Sequence, residues 1–263
     1  MTHDNPAINI DKLRALLFSS DTQNVELAFV IGKNYPEFQK ILERLAVFWE
    51  AVDWDGDQEI TPREIMYMKR WQMLNLRSFR LESLPEEVQL FQNLAKLDLT
   101  NNTLSQLPAK LANISQLQYI NLSKNAFKQV PEVLHQFAHI QEINLSYNQI
   151  TEIPDFFGSL QQLQRAYFAY NHLQELRFTN CQLDALEVLD LSNNQLNEFP
   201  EFIGQLDQLW ELDLSFNQIK SIPLDLPNLK KLNILRLKGN PLPTSQKQLI
   251  KKAFAQTRTK VVL

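Results

Sequence analysis

The side chains best suited to chemistry lie in one acidic stretch, DWDGDQEITPRE, which runs from Asp53 to Glu64. Its carboxylates belong to Asp53, Asp55, Asp57, Glu59 and Glu64. Carboxylates this close together repel one another unless a cation or strong hydrogen bonds compensate. Oxygen ligands of this kind are those that Ca²⁺ prefers. The stretch therefore predicts a calcium site, provided that the neighbouring elements hold these side chains around one point.

Two other groups have residue types used in catalysis or metal binding, but neither has the necessary partners. His135 and His139 are four residues apart, which suits zinc on a helix, but no glutamate accompanies them in the metalloprotease arrangement. Cys181 has no recognisable histidine and acid partner, so a buried or half-buried thiol is the better interpretation. We interpret the histidines as a surface pair and predict no enzymatic activity.

Composition and charge restrict the class of protein. The chain has 263 residues, of which 44% are hydrophobic, and this suffices for one large or two modest globular domains. A net charge of −4 gives no general attraction for nucleic acid or anionic membrane, because both favour clustered Lys and Arg. The first residues lack a basic stretch before a long apolar run, and no later segment is apolar enough to span a bilayer. We expect a cytoplasmic protein that binds neither nucleic acid nor membrane.

Most of the chain follows a repeat of 23 residues, as from Asn102 to Asn125. Each copy alternates apolar residues and then has an asparagine, as in LAKLDLTNNTL from Leu94. An additional first copy, WQMLNLRSFRL from Trp71, has Phe79 in place of the asparagine. Apolar residues two apart turn one face of a short strand inward. The repeated asparagines are Asn102, Asn125, Asn148, Asn171, Asn194, Asn217 and Asn240.

The pattern L-x-x-L-x-L-x-x-N-x-L resembles the leucine-rich repeat, and the resemblance covers about residues 71 to 244. It implies an α/β solenoid with a curved parallel sheet on the concave side. The asparagines would form a ladder that satisfies backbone groups in the turns. Pro108 and Pro200 suit the start of a short helical or irregular return between strands. We predict eight units of 23 residues over 71–244.

Helical patterns on both sides of the repeats predict the covers that a solenoid needs at its ends. A helical module over 1–70 contains IDKLRALLF, NVELAFVIGK and EFQKILERLAVFWEAV, and Asp21 is a candidate N-cap. In a C-terminal cap over 245–263, the apolar residues Leu249, Ile250 and Phe254 have roughly helical spacing. The final KVVL predicts one more strand.

With a predicted helix on each side, the acidic stretch resembles an EF-hand loop. The resemblance implies side-chain ligands early in the loop, a backbone carbonyl in its middle and a bidentate glutamate at its end. The implied ligands are Asp53, Asp55, Asp57, Glu59 through its carbonyl, Thr61 directly or through water, and Glu64. Gln58 departs from the family pattern, which has glycine for a left-handed turn, at a cost of about 1 kcal/mol.

A second interpretation of the same residues needs no metal. Thr61-Pro62-Arg63-Glu64 is a capping box with proline at the first helical position, so these residues could simply begin a helix. It leaves the aspartates unexplained. Both interpretations stay open, and a bound calcium ion would either regulate the angle between the flanking helices or only stabilise the module.

Aromatic residues on and beside the predicted strands suggest a binding surface, because exposed aromatics are favoured anchors in protein interfaces. The candidates are Tyr119, Tyr147, Tyr167, Tyr170, Trp210 and Phe216. Tyr147, Tyr170 and Phe216 directly precede ladder asparagines, so covering the neighbouring turns is an equal alternative. We predict a scaffold that binds a protein or peptide on the concave face; the alternative is a non-catalytic regulatory subunit on which a separate enzyme docks.

Overall fold

We describe the fold from a computed structural model in which residues 10–50, 60–226 and 229–263 are described. Within these ranges, four helices precede a sheet of nine parallel strands, and a fifth helix lies between the last two strands. The α-helices are α1 (Ile10–Leu17), α2 (Thr22–Gly32), α3 (Pro36–Glu50), α4 (Pro62–Met68) and α5 (Thr244–Phe254). The predicted leucine-rich repeat solenoid with an N-terminal helical region is confirmed.

The strands follow chain order across one curved, unclosed sheet. They are β1 (Met73–Asn75), β2 (Lys96–Asp98), β3 (Tyr119–Asn121), β4 (Glu142–Asn144), β5 (Arg165–Tyr167), β6 (Val188–Asp190), β7 (Glu211–Asp213), β8 (Ile234–Arg236) and β9 (Lys260–Val262). From β1 to β8 neighbours pair at the repeat spacing, as Leu97 with Ile120. The middle residue of each of these strands is buried, because alternate side chains point to opposite faces.

In the described residues, five of the returns between strands are short 3-10 helices, each with a proline as N-cap. Proline suits this position because its fixed φ of about −65° fits the extended N-cap conformation that these prolines adopt. The segments are Glu86–Leu90, Ala109–Asn113, Glu132–Gln136, Asp155–Ser159 and Glu201–Gln205, and they follow Pro85, Pro108, Pro131, Pro154 and Pro200. The predicted short helical returns are therefore confirmed.

The return from β5 to β6 is built differently. Arg177 stands where the repeat period places a proline, and residues 171–187, all of which are described, contain no helical segment. A cross-repeat contact holds this return instead: the carboxylate of Asp155 accepts hydrogen bonds from Thr179 N at 2.8 Å and Thr179 Oγ1 at 2.5 Å. These bonds lower the pKa of Asp155.

The asparagine ladder forms as predicted. In a typical rung, Asn171 Nδ2 donates to the carbonyls of Leu145 and Phe168, each at 3.0 Å, and its Oδ1 accepts from Ile150 N at 2.9 Å. One side chain thus satisfies backbone groups in its own repeat and in the preceding one. Because these groups are buried, leaving them without partners would be costly, and this explains why a polar residue recurs inside the core.

The N-terminal helices pack directly on the first repeats. The ring of Phe48 in α3 makes an edge-to-face contact with Phe91, with centroids 5.0 Å apart. Glu87, whose side chain is only 1% exposed, accepts from Arg44 at 2.6 Å and lies 3.8 Å from Arg14. A buried carboxylate needs such partners because desolvation penalises the charge. The apolar core continues from α1 through the repeats to α5.

A buried lysine closes the end of the first helix. The Lys69 ammonium donates to the carbonyl of Leu17 at 3.1 Å and to that of Ser19. Burial lowers the pKa of Lys69 to about 8. The backbone carbonyl of Lys69 also accepts from Asn93 Nδ2 at 2.8 Å. One residue therefore links α1, α4 and the first repeats.

The C-terminal cap has the predicted helix and strand. Helix α5 buries Ile250 and Phe254, whereas Leu249 is exposed, so the apolar face is narrower than the sequence suggests. Gln246 Nε2 donates to Ile222 O at 3.0 Å, and strand β9 extends the sheet beside β8. The last apolar layer is thus covered.

Candidate binding surface

The concave face is formed by the first and third residue of each strand from β1 to β8, which flank a buried middle residue. Six of the third residues are Asn or Asp, and their Oδ1 atoms accept the backbone N–H two residues later, as Asp190 does from Ser192 N at 2.9 Å. The six are Asn75, Asp98, Asn121, Asn144, Asp190 and Asp213. The sequence analysis missed this role in the turns.

Two tyrosines of the predicted site lie on the concave face itself. Tyr167 ends β5 and replaces the Asn or Asp of the row just described, so it gives up the local turn bond and presents a ring instead. Tyr119 begins β3, and its hydroxyl accepts from Asn121 Nδ2 at 3.1 Å. Burial raises the pKa of both tyrosines, because the half-buried phenols are harder to ionise. Both are therefore neutral at physiological pH.

A second row follows the ends of the strands, at the residue before each ladder asparagine and, in the first copy, before Phe79; we call it the pre-asparagine row. All its members have positive φ, between 55° and 79°. They are Ser78, Asn101, Lys124, Tyr147, Tyr170, Asn193, Phe216 and Gly239. This left-handed conformation favours Gly and Asn, and it costs other residues roughly 1–2 kcal/mol. Tyr and Phe are thus unexpected occupants on backbone grounds.

Tyr147 and Tyr170 form a stacked pair in this row. Their ring centroids are 4.2 Å apart with an interplanar angle of 10°, and the residues are 47% and 46% exposed. Lys124 Nζ lies 5.5 Å from the centre of the Tyr147 ring, within cation–π range. Each ring thus packs on the ring of the neighbouring repeat, yet the pair leaves a large aromatic surface open. The geometry is therefore compatible with both interpretations of these tyrosines, packing against a neighbouring turn and binding a partner.

Phe216 and Trp210 lie farther along the sheet. The Phe216 ring packs on the backbone of Gly239, where an added Cβ would be 2.5 Å from Phe216 Cδ1, so this ring does cover a neighbouring turn. Trp210 precedes β7 and is 45% exposed. The backbone of Trp210 makes ladder bonds with Glu187 and Asn233, both within 2.9 Å. The indole itself is thus not needed for the ladder.

Charges on the concave face between β4 and β8 are mostly negative. Arg165 lies 3.7 Å from Glu142 and 3.8 Å from Glu187, and Arg236 contacts Glu211 and lies 3.8 Å from Asp213. Both arginines are therefore engaged by carboxylates of neighbouring strands.

Asp190 lies between these two clusters, at the end of β6. Among the described residues it makes no ion pair within 4.0 Å. Burial raises the pKa of Asp190 and the charge of Asp213 adds to this effect, whereas hydrogen bonds from Ser192 and the more distant charge of Arg236 oppose it.

Only two of the predicted calcium ligands, Thr61 and Glu64, lie within the described residues. Asp53, Asp55, Asp57 and Glu59 lie outside the described residues. Thr61 is the N-cap of α4, and the Glu64 carboxylate accepts from Thr61 N at 3.1 Å, so the predicted capping box forms.

The other metal and nucleophile candidates stay isolated. Within 10–50, 60–226 and 229–263, no three His, Cys, Asp or Glu side chains form a group that could hold a metal. His135 instead contacts the backbone carbonyl of Glu132 and the side chain of Gln136. Burial raises the pKa of the half-buried Cys181, which weakens it as a nucleophile.

Comparison with known protein families agrees with the geometry. The family described as "Leucine rich repeat" matches residues 92–150 and 168–219. The chain is similar to this family over these two segments. They include β2 to β4 and β6 to β7, and both the stacked tyrosines and Trp210 fall within them.

Solved structures with similar repeats come from bacteria and plants. A leucine-rich repeat protein of Leptospira interrogans is 32% identical, with a TM-score of 0.62 over 76% of this chain; this chain covers 57% of that protein. Internalin C2 of Listeria monocytogenes is 22% identical over 85% of this chain and 91% of its own, with a TM-score of 0.62, which shows the fold alone. The plant peptide hormone receptor RGFR1, solved in complex with RGF2, is 28% identical over 76% of this chain and 33% of its own, with a TM-score of 0.59.

None of the curated proteins searched is similar to this chain. In the described part of the chain, none of the helices is both long and apolar enough to cross a membrane.

Proposed function

We propose that this protein binds a protein or peptide segment on its concave face, with the adjoining pre-asparagine row as part of the site. The observation that carries the proposal is the stacked pair of Tyr147 and Tyr170, which exposes nearly half of each residue at backbone positions that favour Gly or Asn. A stacked aromatic pair is worth about 0.5–1.5 kcal/mol, which is less than the roughly 2–4 kcal/mol that two left-handed tyrosines cost. Stability alone therefore gives a weak reason for tyrosine here.

Other copies of the repeat show that asparagine serves at the same position. Asn101 and Asn193 have φ of 58° and 55°, close to the 58° and 56° of the two tyrosines. Rigid aromatic rings supply large contact area in protein interfaces at little entropic cost. The similar receptor is recorded in complex with RGF2, and this supports a peptide-binding role for this chain as well.

The repeat itself offers substitutions that test the proposal while keeping the fold. Tyr147→Asn and Tyr170→Asn install the residue found at positions 101 and 193. Trp210→Gln installs the residue of three preceding copies, at Gln118, Gln141 and Gln164. We expect the triple variant to melt within a few degrees of the wild type.

Peptides selected on the wild-type chain from a displayed library provide the ligand, and fluorescence polarisation measures their affinity. We expect the triple variant to bind at least tenfold more weakly, since aromatic anchors dominate interface energetics. Tyr67→Gln, which removes an exposed aromatic on α4, is the matched control and should change affinity less than twofold. Equal affinity of the triple variant would contradict the proposal, and so would selected peptides that bind only the convex side.

A separate enzyme is one class of protein partner that this surface would serve, as a regulatory subunit does. An enzymatic activity that copurifies with the wild-type chain and is lost with the triple variant would favour this second function. Activity that copurifies equally with both would place the enzyme elsewhere.

We also propose that Ca²⁺ stabilises the N-terminal helical region. The support is that Thr61 and Glu64 stand at the N-cap and third residue of α4, where a loop ligand set that ends in glutamate would begin its exit helix. Asp53, Asp55, Asp57, Glu59 through its carbonyl, Thr61 and Glu64 would hold the ion, and its charge would offset the repulsion among the carboxylates. Glu64 would then exchange its capping-box role for the metal.

Thermal melting of the full chain with and without about 1 mM CaCl₂ tests this second proposal, since weak sites bind in that range. We expect Ca²⁺ to raise the melting temperature of the wild type but not that of Asp53→Asn/Asp55→Asn. Glu59→Gln is the matched control, because it removes a charge and keeps the carbonyl, so it should retain most of the shift. A wild type that Ca²⁺ leaves unchanged would rule the site out.

A further inference from the structure

We infer that the segment bound on the concave face is basic, with an arginine or lysine side chain that lies against Asp190 beside the ring of Tyr167. This inference rests on the proposed peptide-binding function and adds the chemistry of the partner. The surface concerned is the concave face from β4 to β8, together with the residue that precedes each of these strands.

Charge complementarity is the first argument. This face carries five carboxylates and two arginines, and the acidic residues are Glu142, Glu187, Asp190, Glu211 and Asp213. Arg165 and Arg236 each lie within 4.0 Å of two carboxylates of their own surface. A bound cation would therefore compensate charge that the chain leaves uncompensated, whereas an acidic segment would meet repulsion.

The position of Asp190 is the second argument. The sheet register places Tyr167, Asp190 and Asp213 side by side on adjacent strands, about 4.8 Å apart at the backbone. Asp190 is half-buried next to the like charge of Asp213, an arrangement that penalises ionisation in the free protein. A cation from the partner would relieve this penalty on binding.

The exchange at Tyr167 is the third argument. Six other strands have Asn or Asp at this position and gain a turn bond, but β5 has an aromatic ring directly beside the carboxylate of Asp190. A guanidinium or ammonium group can pair with a carboxylate while it lies over an aromatic face. The combination suits a basic side chain better than an apolar one.

The size of the face sets the length of the segment. From β4 to β8 there are four inter-strand steps, which span about 19 Å, or about six residues of extended chain. A twelve-residue probe would therefore reach across the face with residues to spare. Four labelled probes are needed, identical except that their four variable positions are all Arg, all Lys, all Gln or all Glu.

Binding of these probes to the full chain is measured by fluorescence polarisation. Asp190→Asn/Asp213→Asn is the informative variant, because Asn121 and Asn144 make the same turn bond and the fold should persist. Glu132→Gln/Glu201→Gln removes the same charge from exposed positions on the 3-10 helices and is the control.

We expect the Arg and Lys probes to bind the wild type at least tenfold more tightly than the Gln and Glu probes. The aspartate variant should lose at least tenfold for the basic probes, and the control variant less than twofold. Tyr167→Asn, which restores the repeat residue, should weaken the Arg probe severalfold through loss of the ring.

Basic probes that bind no better than the Gln probe, or equally well to the aspartate variant, would overturn the inference. Different results would contradict the proposed peptide-binding function. Selected neutral or acidic peptides that depend on Tyr147, Tyr170 and Trp210 would leave that function intact and refute only the basic partner. Library peptides whose binding depends neither on these three aromatics nor on Asp190 would refute both.

Discussion

Single residues in this protein stabilise the fold through hydrogen bonds to partners far away in the chain. Lys69 donates to the carbonyls of Leu17 and Ser19, about fifty positions earlier. The cation satisfies carbonyls at and just beyond the end of α1 and complements the negative end of the helix dipole. Burial opposes this gain by lowering the pKa of Lys69 to about 8.

This lowered pKa predicts how stability changes with pH. Below pH 8 the lysine is protonated in both the folded and the unfolded state, so it adds no slope. Between about 8 and the ordinary value of 10.5 the unfolded state binds more protons, and stability therefore rises with pH. Relative to Lys69→Met, the wild type should gain about 1–2 kcal/mol between pH of about 7.5 and about 9.5.

Urea unfolding of both proteins at the two pH values measures this difference. Comparison with Lys69→Met removes the contribution of other lysines and tyrosines, which titrate alike in the two proteins. A difference that stays constant, or that moves against the wild type as pH rises, would contradict the assigned pKa of Lys69.

At the scale of elements, the residue type in the turn after each strand affects both the stability of the repeat and the surface that the repeat offers for binding. The ladder asparagines and the pre-asparagine row share this turn, and the row requires a left-handed backbone at every copy. Where Asn or Gly occupies the row, as at Asn101, Asn193 and Gly239, the backbone requirement is met cheaply. Where Tyr147 and Tyr170 occupy it, exposed ring surface is gained instead.

Gly239 provides a test of this element. It has φ of +79°, and an added Cβ would lie 2.5 Å from Cδ1 of Phe216. Gly239→Ala should therefore lower the free energy of unfolding by about 1–2 kcal/mol, from backbone strain together with displacement of the ring.

A double-mutant cycle with Phe216→Asn separates the two causes, because asparagine tolerates the left-handed turn and removes the ring. We expect alanine at 239 to cost less in the Phe216→Asn background, as measured by chemical denaturation. An equal cost in both backgrounds would mean that the ring does not resist the added methyl group.

At the scale of the molecule, the solenoid is a stack in which each repeat contacts its neighbours, so the ends determine how unfolding begins. The helical region covers the first end through Phe48 and through Glu87, which binds arginines from α1 and α3. Helix α5 and β9 cover the other end.

Glu87→Gln should weaken the first end selectively. Arg44 and Arg14 would lose their buried carboxylate, and we expect a loss of about 1–3 kcal/mol, less than for a fully buried pair because the arginine side chains are 39% and 34% exposed. Hydrogen exchange should show faster opening of α1, α3 and β1, with β6 to β8 less affected. Glu86→Gln, an exposed neighbour, is the control, and equal effects of the two variants would contradict the role of the ion pair.

The sequence predicted the repeats and the asparagine ladder. It could do so because one hydrogen-bonding and packing pattern recurs every 23 residues, as from Asn102 to Asn125. It also predicted the Thr61–Glu64 capping box, which is local and spans a single turn. The calcium ligand set remains a prediction.

The candidate site was only partly accessible from the sequence. The aromatics could be named from their positions, but their two roles could not be separated, because backbone φ and ring stacking depend on the neighbouring repeat. The exchange of Asn or Asp for Tyr167 was visible in the sequence alignment of the copies, and comparing the third residue of every strand would have found it.

The sequence by itself determined that short strands stack in parallel at a fixed spacing, since each repeat carries its own apolar residues and its own asparagine. Only the tertiary structure decided that Glu87 joins α1 and α3, that Tyr147 and Tyr170 stack, and that Asp190 lies unpaired between two ion-pair clusters of the described chain. The physical reason is range. Periodic contacts repeat along the chain and leave a pattern in it, whereas a single contact between distant residues or across two curved rows leaves none.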